Sequence, residues 1–202
     1  MFHNRQINGA GIAIFENYSA KIGRTRIPPK LCVILFLEKH GKFKGCYELP
    51  FGSLDRGEAP IDAARRETYE ESCKLIYLSR RVLSYSVTHS NNISYAVKIN
   101  NDGNLKSINY SNNREVLKRQ GANIKYLETK GMIRVPIENI RAITGSGKDV
   151  YNVVDATGVQ IIIGGRAKSF VKHIIEESWF RSLQSINIVG KMNNGIMTCK
   201  NI

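Results

Sequence analysis

The sequence predicts an α+β fold, in which helices cover both faces of a mixed central sheet and form an α/β/α sandwich. The 202 residues, 42% of them hydrophobic, suit a globular domain with a substantial core. A near-continuous branched apolar segment, residues 31–38, is typical of a strand buried on both faces. Strand-like and helix-like segments follow one another without strict alternation, which disfavours a wholly parallel sheet.

The N-terminal half predicts three strands, a basic loop and one helix. The loop ends in Pro28-Pro29, and Pro50 and Gly52 end the third strand. The apolar period then changes to that of a helix, and Pro60 suits the first helical turn. The predicted elements are strands over 9–15, 31–38 and 46–49, a loop over 16–30, a turn over 39–42 and a helix over 59–72.

The C-terminal half predicts a hairpin, an Asn-rich loop and a closing helix. Two strand-like segments flank the turn Ser90-Asn91-Asn92. The predicted elements are strands over 82–87 and 93–99, a loop over 100–113, a short helix over 114–119, strands over 132–135 and 159–163, and a helix over 167–183. We expect residues 1–186 to form one domain and residues 187–202 to form a weakly structured tail.

The net charge favours an anionic partner. Thirty Lys and Arg residues stand against 17 Asp and Glu residues, which leaves a net charge of +13. Such an excess attracts polyphosphates, nucleic acids or acidic membrane surfaces. We therefore expect a phosphate-containing substrate, with RNA as one possibility.

The cysteine and apolar patterns favour a cytoplasmic protein. The four cysteines are far apart and form no CxxC pair, as is usual in reducing compartments. The longest apolar run, Leu31 to Leu37, has 7 residues, whereas a membrane-spanning helix needs about 20. The N-terminal residues lack the pattern of a secretion signal. We expect a cytoplasmic location and no membrane contact.

The predicted helix over 59–72 carries three carboxylates on one face. At about 100° per residue, Glu67, Glu70 and Glu71 fall within an arc of about 100°. Like charges at these spacings repel each other and destabilise a helix, so a neighbouring positive charge must offset them. Clustered carboxylates without histidine or cysteine are hard oxygen ligands, which suit Mg²⁺ or Mn²⁺ better than zinc. The alternative is a solvated acidic face paired with Arg65 and Arg66.

The segment around this face resembles the signature of the Nudix hydrolases. Six positions keep the family's spacing, as Gly52-x5-Glu58-x7-Arg66-Glu67-x2-Glu70-Glu71. The preceding Leu49-Pro50-Phe51 is similar to the family's approach to this loop, although Phe51 replaces a glycine. Cys73 and Lys74 also depart from the pattern, because the family has glycine and then an apolar residue where the helix ends.

The resemblance implies a hydrolase that cleaves the diphosphate linkage of a nucleoside diphosphate joined to a further group. By position, Glu67, Glu70 and Glu71 would hold Mg²⁺ or Mn²⁺, and the backbone carbonyl of Phe51 or Gly52 would be a further ligand. Glu67 is alternatively the base that activates water, since family members divide these roles differently. Arg66 and Glu58 would pair and orient the carboxylates.

Two further assignments lie outside the signature. Many Nudix enzymes draw another acid from a downstream loop, and Glu128 is the first candidate for it, with Glu115 second; a surface acid is the alternative. The basic residues of the 16–30 loop would flank the cleft and hold substrate phosphates, or else form a solvated loop. They are Lys21, Arg24, Arg26 and Lys30. The resemblance also allows a homodimer, because family members are often dimers.

Three functions remain open from the sequence. The first is hydrolysis of a small nucleotide, such as a nucleotide sugar, a dinucleoside polyphosphate or ADP-ribose. The second is the same chemistry on the 5′ cap of RNA, which the charge of +13 favours. The third is a binding module of the same fold without turnover, which the full set of signature acids disfavours.

Overall fold

We describe a computed structural model, which covers residues 6–22, 24–100, 105, 107–145, 147, 149–187, 192–193 and 196–197. Short 3₁₀ helices at Arg80–Val82, Ile124–Leu127 and Ser178–Ser182 join the longer elements. The strands and helices in chain order are β1 Gly9–Tyr18, β2 Lys21–Ile22, β3 Thr25–Arg26, β4 Lys30–Glu38, β5 Tyr47–Glu48, β6 Phe51–Ser53, α1 Pro60–Glu71, β7 Tyr85–His89, β8 Asn92–Asn100, α2 Ser107–Arg119, β9 Thr129–Pro136, α3 Ile137–Arg141, β10 Val150–Val154, β11 Gln160–Gly164, α4 Gly165–Glu176, β12 Ser185–Asn187, β13 Met192–Asn193 and β14 Ile196–Met197.

The central sheet is mixed, which confirms the predicted α+β class. Its main path runs β10-β11-β5-β4-β1-β8-β12, while β6 pairs with β1, β7 with β8 and β9 with β4. Strands β1 and β4 are antiparallel, whereas β1 and β8 are parallel. Their registers place both β1 and β4 in the middle of the sheet, where both faces of each strand are covered.

Helices cover both faces of this sheet and enclose two apolar layers. On one face, Ile12, Ile14 and Phe36 pack with residues of α1 and α2 such as Ala64 and Tyr110. On the other face, the alternate strand residues pack with α3 and α4; this second layer includes Phe15, Val33, Leu35, Ile140, Phe170 and Ile174. Alternate residues of one strand point to opposite faces of a sheet, so a single apolar run serves both layers. This arrangement is the predicted α/β/α sandwich.

The N-terminal loop prediction is wrong in part. Strand β1 continues to Tyr18, and β2 and β3 pair with each other as a small antiparallel hairpin. Strand β6 was also missed, because its three residues are too short to show a period. It forms because Gly9, Gly11 and their neighbours on β1 leave room for it to pair in antiparallel register.

Two predictions in the C-terminal half also differ from the structure. Helix α2 begins at Ser107, within the predicted Asn-rich loop, while residues 101–104 and 106 lie outside the described residues. Asparagine is a weak helix former, but burial of Tyr110 and Leu117 outweighs that preference here. The predicted closing helix is divided at Glu177, whose backbone is extended, and a 3₁₀ turn follows it.

Other elements agree with the sequence or lie partly outside the described residues. The hairpin at Ser90 is present, although its first strand, β7, begins and ends later than the predicted strand over 82–87. Strand β10, which the sequence did not predict, pairs with β11. Of the predicted tail, the structure describes only Asn187, which ends β12, and the β13–β14 pair. Among the described helices, none combines the length and apolar character that a membrane span requires.

Helix α1 ends in two consecutive left-handed residues that are not glycine. Cys73 has φ of 54° and Lys74 has φ of 64°. The turn is closed by the Lys74 N–H, which donates to the Tyr69 carbonyl at 2.7 Å, and by the Cys73 N–H, which donates to the Glu70 carbonyl at 3.0 Å. A side chain in this region costs about 1 kcal/mol or more. The signature's glycine at this end is therefore replaced at a cost in stability.

We predict that Lys74→Gly is more stable than Lys74→Ala by roughly 0.5–1 kcal/mol. Both variants lose the contact of the Lys74 ammonium with the Tyr126 ring, but only glycine relieves the left-handed strain. The greater freedom of glycine in the unfolded chain offsets part of the gain. Urea unfolding of the two variants measures the difference. Equal stability, or a more stable alanine variant, would contradict the strain.

Candidate functional site

Strand β6 and helix α1 bring the signature residues together. The β6 strand pairs with the start of β1, with Gly52 opposite Ala10 and Phe51 opposite Gly11. Gly52 then lies against the carboxylate of Glu67, so a Cβ at position 52 would lie only 2.1 Å from the Glu67 Cδ. No larger residue could leave the carboxylate in this place. The glycine of the signature is thus required by a close approach of backbone and carboxylate.

Glu71 is buried beneath the same strand. Its Oε1 accepts a hydrogen bond from the Phe51 N–H at 3.2 Å, and its Oε2 is a buried atom without a hydrogen-bond partner. The pKa of Glu71 is raised well above its ordinary value of 4.5, first because burial removes the carboxylate from water and second because Glu38 lies nearby. Burial likewise raises the pKa of Glu67, against the opposing effect of Arg66.

Arg66 joins the loop to the acid face of α1. Its Nε and Nη2 donate to the two oxygens of Glu58 at 3.0 and 2.9 Å. Its Nη1 lies 2.5 Å from an oxygen of Glu67 and 3.6 Å from one of Glu70, and Nη2 also donates to the Ser53 carbonyl. The paired guanidinium lowers the pKa of the Glu58 carboxyl. One side chain therefore ties the loop to two of the three helix carboxylates.

Glu70 lies to the side of the other two acids. Its Oε2 faces Arg66, and its Oε1 lies 2.6 Å from the Lys125 Nζ. Glu70 is nonetheless buried, with 6% of its surface exposed. These two cations are the neighbouring positive charges that the crowded acid face requires.

A cleft of about 420 Å³ opens in front of Glu67 and Glu71. Glu128 lines this cleft, whereas Glu115 lies on α2 with an exposed side chain beside Arg114. The structure therefore places the first of the two candidate downstream acids at the cleft. The full lining is Glu38, His40, Gly41, Lys42, Phe43, Phe51, Gly52, Ser53, Glu67, Glu71, Glu128 and Arg166.

Sequence reasoning missed three charged residues of the cleft, Glu38, Arg166 and Lys42. Glu38 ends strand β4, and burial raises its pKa to about 7; the carbonyl of Glu128 accepts a hydrogen bond from the N–H of the next residue, Lys39, at 3.0 Å. Arg166 lies 3.5 Å from Glu38, and its guanidinium sits 4.7 Å from the centre of the Phe51 ring. An acid at the end of an otherwise apolar strand was the available signal for Glu38.

A second buried acid supports Arg166 from behind. Glu48 is fully buried, lies 3.5 Å from the Arg166 Nε and faces the first turn of α4 near Ala167, while its Oε1 is a buried atom without a hydrogen-bond partner. Burial raises the pKa of Glu48 to about 7 despite these contacts. A carboxylate at a helix N-terminus interacts favourably with the helix dipole. Gly164 leaves the space for this carboxylate.

The assignment of Arg24, Arg26 and Lys30 to the cleft is wrong. Lys30 begins β4 and Glu38 ends it, so the two residues lie roughly 25 Å apart along the strand. The hairpin that carries Arg24 and Arg26 joins the far end of β1 to the start of β4. These residues therefore lie at the end of the sheet opposite the cleft, and Lys30 pairs with Glu138 at 3.3 Å.

The carboxylates share a cleft without forming a finished coordination sphere. Among the described residues, no three acidic, histidine or cysteine side chains already converge as a metal site. Glu67 and Glu70 instead face Arg66 and Lys125.

The chain is similar in structure to several solved proteins. No family profile and no curated protein matches it. A MutT/nudix family protein from Enterococcus faecalis is 14% identical over 91% of this chain and 69% of its own, with a TM-score of 0.48. The NUDIX domain of Shewanella oneidensis NrtR, solved with ADP ribose, is 13% identical over 70% of this chain and 80% of its own, with a TM-score of 0.38. A C. elegans Ap4A hydrolase is 16% identical over 65% of this chain and 81% of its own, with a TM-score of 0.37. Since identity and TM-scores are low, we base the function on this chain's own residues.

We predict that Glu71→Gln is more stable than the wild type at about pH 8, by roughly 1–3 kcal/mol. Ionisation of a carboxyl with a raised pKa opposes folding, so the penalty is absent below the ordinary value of 4.5 and grows as the pH rises above it. Glutamine keeps an oxygen for the Phe51 N–H and carries no charge. Denaturant unfolding in EDTA, at several pH values, measures the difference, which should vanish near pH 4.

Glu70→Gln is the matched control on the same helix. It removes the partner of Lys125 and Arg66, so it should lower the free energy of unfolding or leave it unchanged at every pH. A Glu71→Gln variant less stable than wild type at pH 8 would contradict the buried charge.

Proposed function

We propose that the protein is a Mg²⁺- or Mn²⁺-dependent hydrolase that cleaves the diphosphate linkage of a nucleoside diphosphate joined to a further group. The observation that carries this proposal is the pair Glu67 and Glu71, which are held against Gly52 and Phe51 at the back of a cleft. The spacing of the Nudix signature, which places these residues, supports the same reaction.

The residues of the cleft fit a divalent cation. Four carboxylates, those of Glu38, Glu67, Glu71 and Glu128, face one cavity, and a polyphosphate could not approach them unless a cation reduced their charge. The Oε2 of Glu71 is a buried oxygen without a hydrogen-bond partner, and hard oxygen donors suit Mg²⁺ and Mn²⁺. When bound, the ion would neutralise phosphate charge and lower the pKa of water beside it.

The chain's own residues then have distinct tasks. We assign Glu71 and Glu67 to hold the ion, with the backbone carbonyl of Gly52 or Phe51 as a further ligand. Glu67 alternatively takes the proton from the attacking water, since burial raises its pKa and therefore makes it a stronger base than an exposed glutamate. Arg66, fixed by both oxygens of Glu58, keeps Glu67 in place against repulsion by its neighbours.

Glu70 and Glu128 complete the acid set that we propose for the metal. Glu70 lies beside Arg66 and Lys125, so its part in metal binding requires a change of partner. Glu128 lies on the opposite wall, next to the strand that ends in Glu38. Both walls of the cleft thereby present carboxylates to the space in front of Gly52.

Cations at the rim suit the phosphate groups of a substrate. Lys42 lines the cleft and pairs with Asp149 at 2.8 Å, and both side chains are largely exposed. Such exposed pairs contribute little stability, so Lys42 can exchange Asp149 for a phosphate at small cost. Arg166, held over the rings of Phe43 and Phe51, adds a fixed positive charge to the same wall.

Capped RNA is the second candidate substrate. Cleavage of its 5′ cap is the same diphosphate chemistry, and a net charge of +13 favours a long anionic substrate over a small nucleotide. We prefer the broader assignment, diphosphate cleavage, because the acids of the cleft support that chemistry whichever group is joined to the diphosphate. An inactive binding module is disfavoured, since all the signature acids are present and two of them, Glu67 and Glu71, line the cleft.

We predict divalent-ion-dependent hydrolysis that Glu67→Gln and Glu71→Gln each reduce by at least about 100-fold, because each removes a carboxylate that faces the cleft. Product analysis is made with Mg²⁺ or Mn²⁺ over ADP-ribose, dinucleoside polyphosphates, nucleotide sugars, nucleoside triphosphates and cap-labelled RNA. Release of capped nucleotide from RNA alone would select the second candidate.

Glu115→Gln is the matched control, because Glu115 is an exposed acid on α2 away from the cleft. It should retain wild-type rates on whichever substrate is cleaved. If no substrate were cleaved, the proposed hydrolase would be rejected in favour of a binding module. If all three variants lost activity equally, the roles proposed for Glu67 and Glu71 would be rejected.

A further inference from the structure

Three tyrosine rings pack together beside α1, and one of them, Tyr69, belongs to the helix. The Tyr69 ring, on the helix, lies 6.1 Å from the ring of Tyr77 and 6.2 Å from that of Tyr126, measured between ring centres. The interplanar angles are 84° and 86°, so each pair packs edge to face. The three rings come from separate segments and form one continuous row.

Cations lie over the rings at both ends of this row. The Lys74 Nζ is 4.1 Å and the Lys125 Nζ 5.6 Å from the centre of the Tyr126 ring. The Arg65 guanidinium lies 5.3 Å from the centre of the Tyr77 ring. We call the six residues together the tyrosine–cation strip: Arg65, Tyr69, Lys74, Tyr77, Lys125 and Tyr126.

The strip is accessible and its charge is positive. Tyr77 is 42% exposed, and so is the side chain of Lys125. The nearby acid Asp62 faces two cations, Arg65 and Arg80, rather than one. Arg81, next to Arg80, is exposed and adds a further positive charge beside the row. The contacts that hold Arg65 in place, to the Leu78 carbonyl and the Tyr77 hydroxyl, keep its charge on the ring.

We propose that the tyrosine–cation strip binds single-stranded nucleic acid. Every base has a flat π face that stacks on an aromatic ring or a guanidinium, and interleaved cations hold the phosphates between bases. A duplex hides those base faces, so it would use only the cations. The mixture of rings and charges on the strip therefore fits an unpaired strand better than a double helix.

The strip also lies close to the cleft. Lys125 contacts both Glu70 of the acid face and the Tyr126 ring, and an α-helix is only about 10 Å wide. If the proposed diphosphate cleavage is correct, a strand whose 5′ end occupies the cleft would continue over the strip. That second step rests on the proposed function, whereas binding of the strand does not.

The test is fluorescence anisotropy with an RNA of about 12 nucleotides that has a 5′ hydroxyl, so that it offers the cleft no diphosphate. Tyr77→Leu is expected to weaken binding by roughly 5- to 100-fold, and Tyr77→Phe to retain it, because phenylalanine keeps the ring. Lys74→Gln is expected to reduce the slope of log affinity against log salt by about 1.

Tyr85→Leu is the matched control, since Tyr85 is also exposed, at 38%, but stacks on Trp179 away from α1. It should bind like the wild type. The same sequence as single-stranded DNA should also bind, and a hairpin duplex should bind more weakly. Preference for the duplex, or equal weakening by Tyr85→Leu and Tyr77→Leu, would overturn the proposal.

Hydrolysis of a small diphosphate substrate separates the two proposals. Tyr77→Leu should leave its rate unchanged, because that substrate occupies only the cleft. Loss of RNA binding with unchanged hydrolysis supports the strip as a separate site. RNA binding that depends on Tyr77 in a protein that cleaves no substrate would support the strip and reject the hydrolase. Unaltered RNA binding in Tyr77→Leu would reject the strip, whatever the hydrolysis result.

Discussion

The packing of two glutamates of α1 against the short strand β6 is the constraint on which the site depends. Gly52 leaves room for the Glu67 carboxylate, and the Phe51 N–H donates a hydrogen bond to the carboxylate of Glu71. Removing a carboxylate from water is unfavourable unless a partner compensates it. Here the compensation is incomplete, since Glu71 keeps one buried oxygen without a hydrogen-bond partner. The fold therefore maintains a site that is short of positive charge.

The cations near the cleft are distributed unevenly among its acids. The acids therefore differ in whether a positive side chain lies beside them. Arg66 lies beside Glu67 and Glu70, and Lys125 lies beside Glu70, whereas Glu71 faces the cleft without either cation. Arg166 serves Glu38 and Glu48 on the other wall. Burial raises the pKa values of Glu38, Glu48, Glu67 and Glu71, and the nearby arginines offset this effect only in part, which leaves a shortage of positive charge. A bound divalent cation would relieve it.

The sequence predicted the local part of the site better than the part made by distant segments. Gly52, Glu58, Arg66 and the helix acids lie within about twenty residues, and helical periodicity alone places the carboxylates on one face. Glu38 and Arg166 reach the cleft only through strand pairing and the position of α4, for which no short pattern exists. The basic loop at 24–30 was misplaced for the same reason, because its distance from the cleft depends on the direction of β4.

The sheet and its two helix layers followed from apolar runs, but some boundaries required tertiary contacts. Helix α2 begins in an Asn-rich segment because Tyr110 is buried there, and its hydroxyl lies 2.5 Å from the Thr129 Oγ1. Thr129 in turn donates to the Glu71 carbonyl at 2.5 Å. Composition opposes this helix, while packing against the end of α1 favours it. The same contacts help to hold the left-handed turn at Cys73 and Lys74, since the side chain of Asn113 donates to the Cys73 carbonyl.

The most direct test of the central claim is the thermal unfolding midpoint as a function of Mg²⁺ or Mn²⁺ concentration, at about pH 8, for the wild type and for Glu71→Gln. A ligand that binds only the folded state raises the midpoint as its concentration increases. If the acids of the cleft are a cation site, the wild-type midpoint rises with either metal and that of Glu71→Gln rises much less. An unchanged wild-type midpoint, or an equal rise in both proteins, would contradict the account.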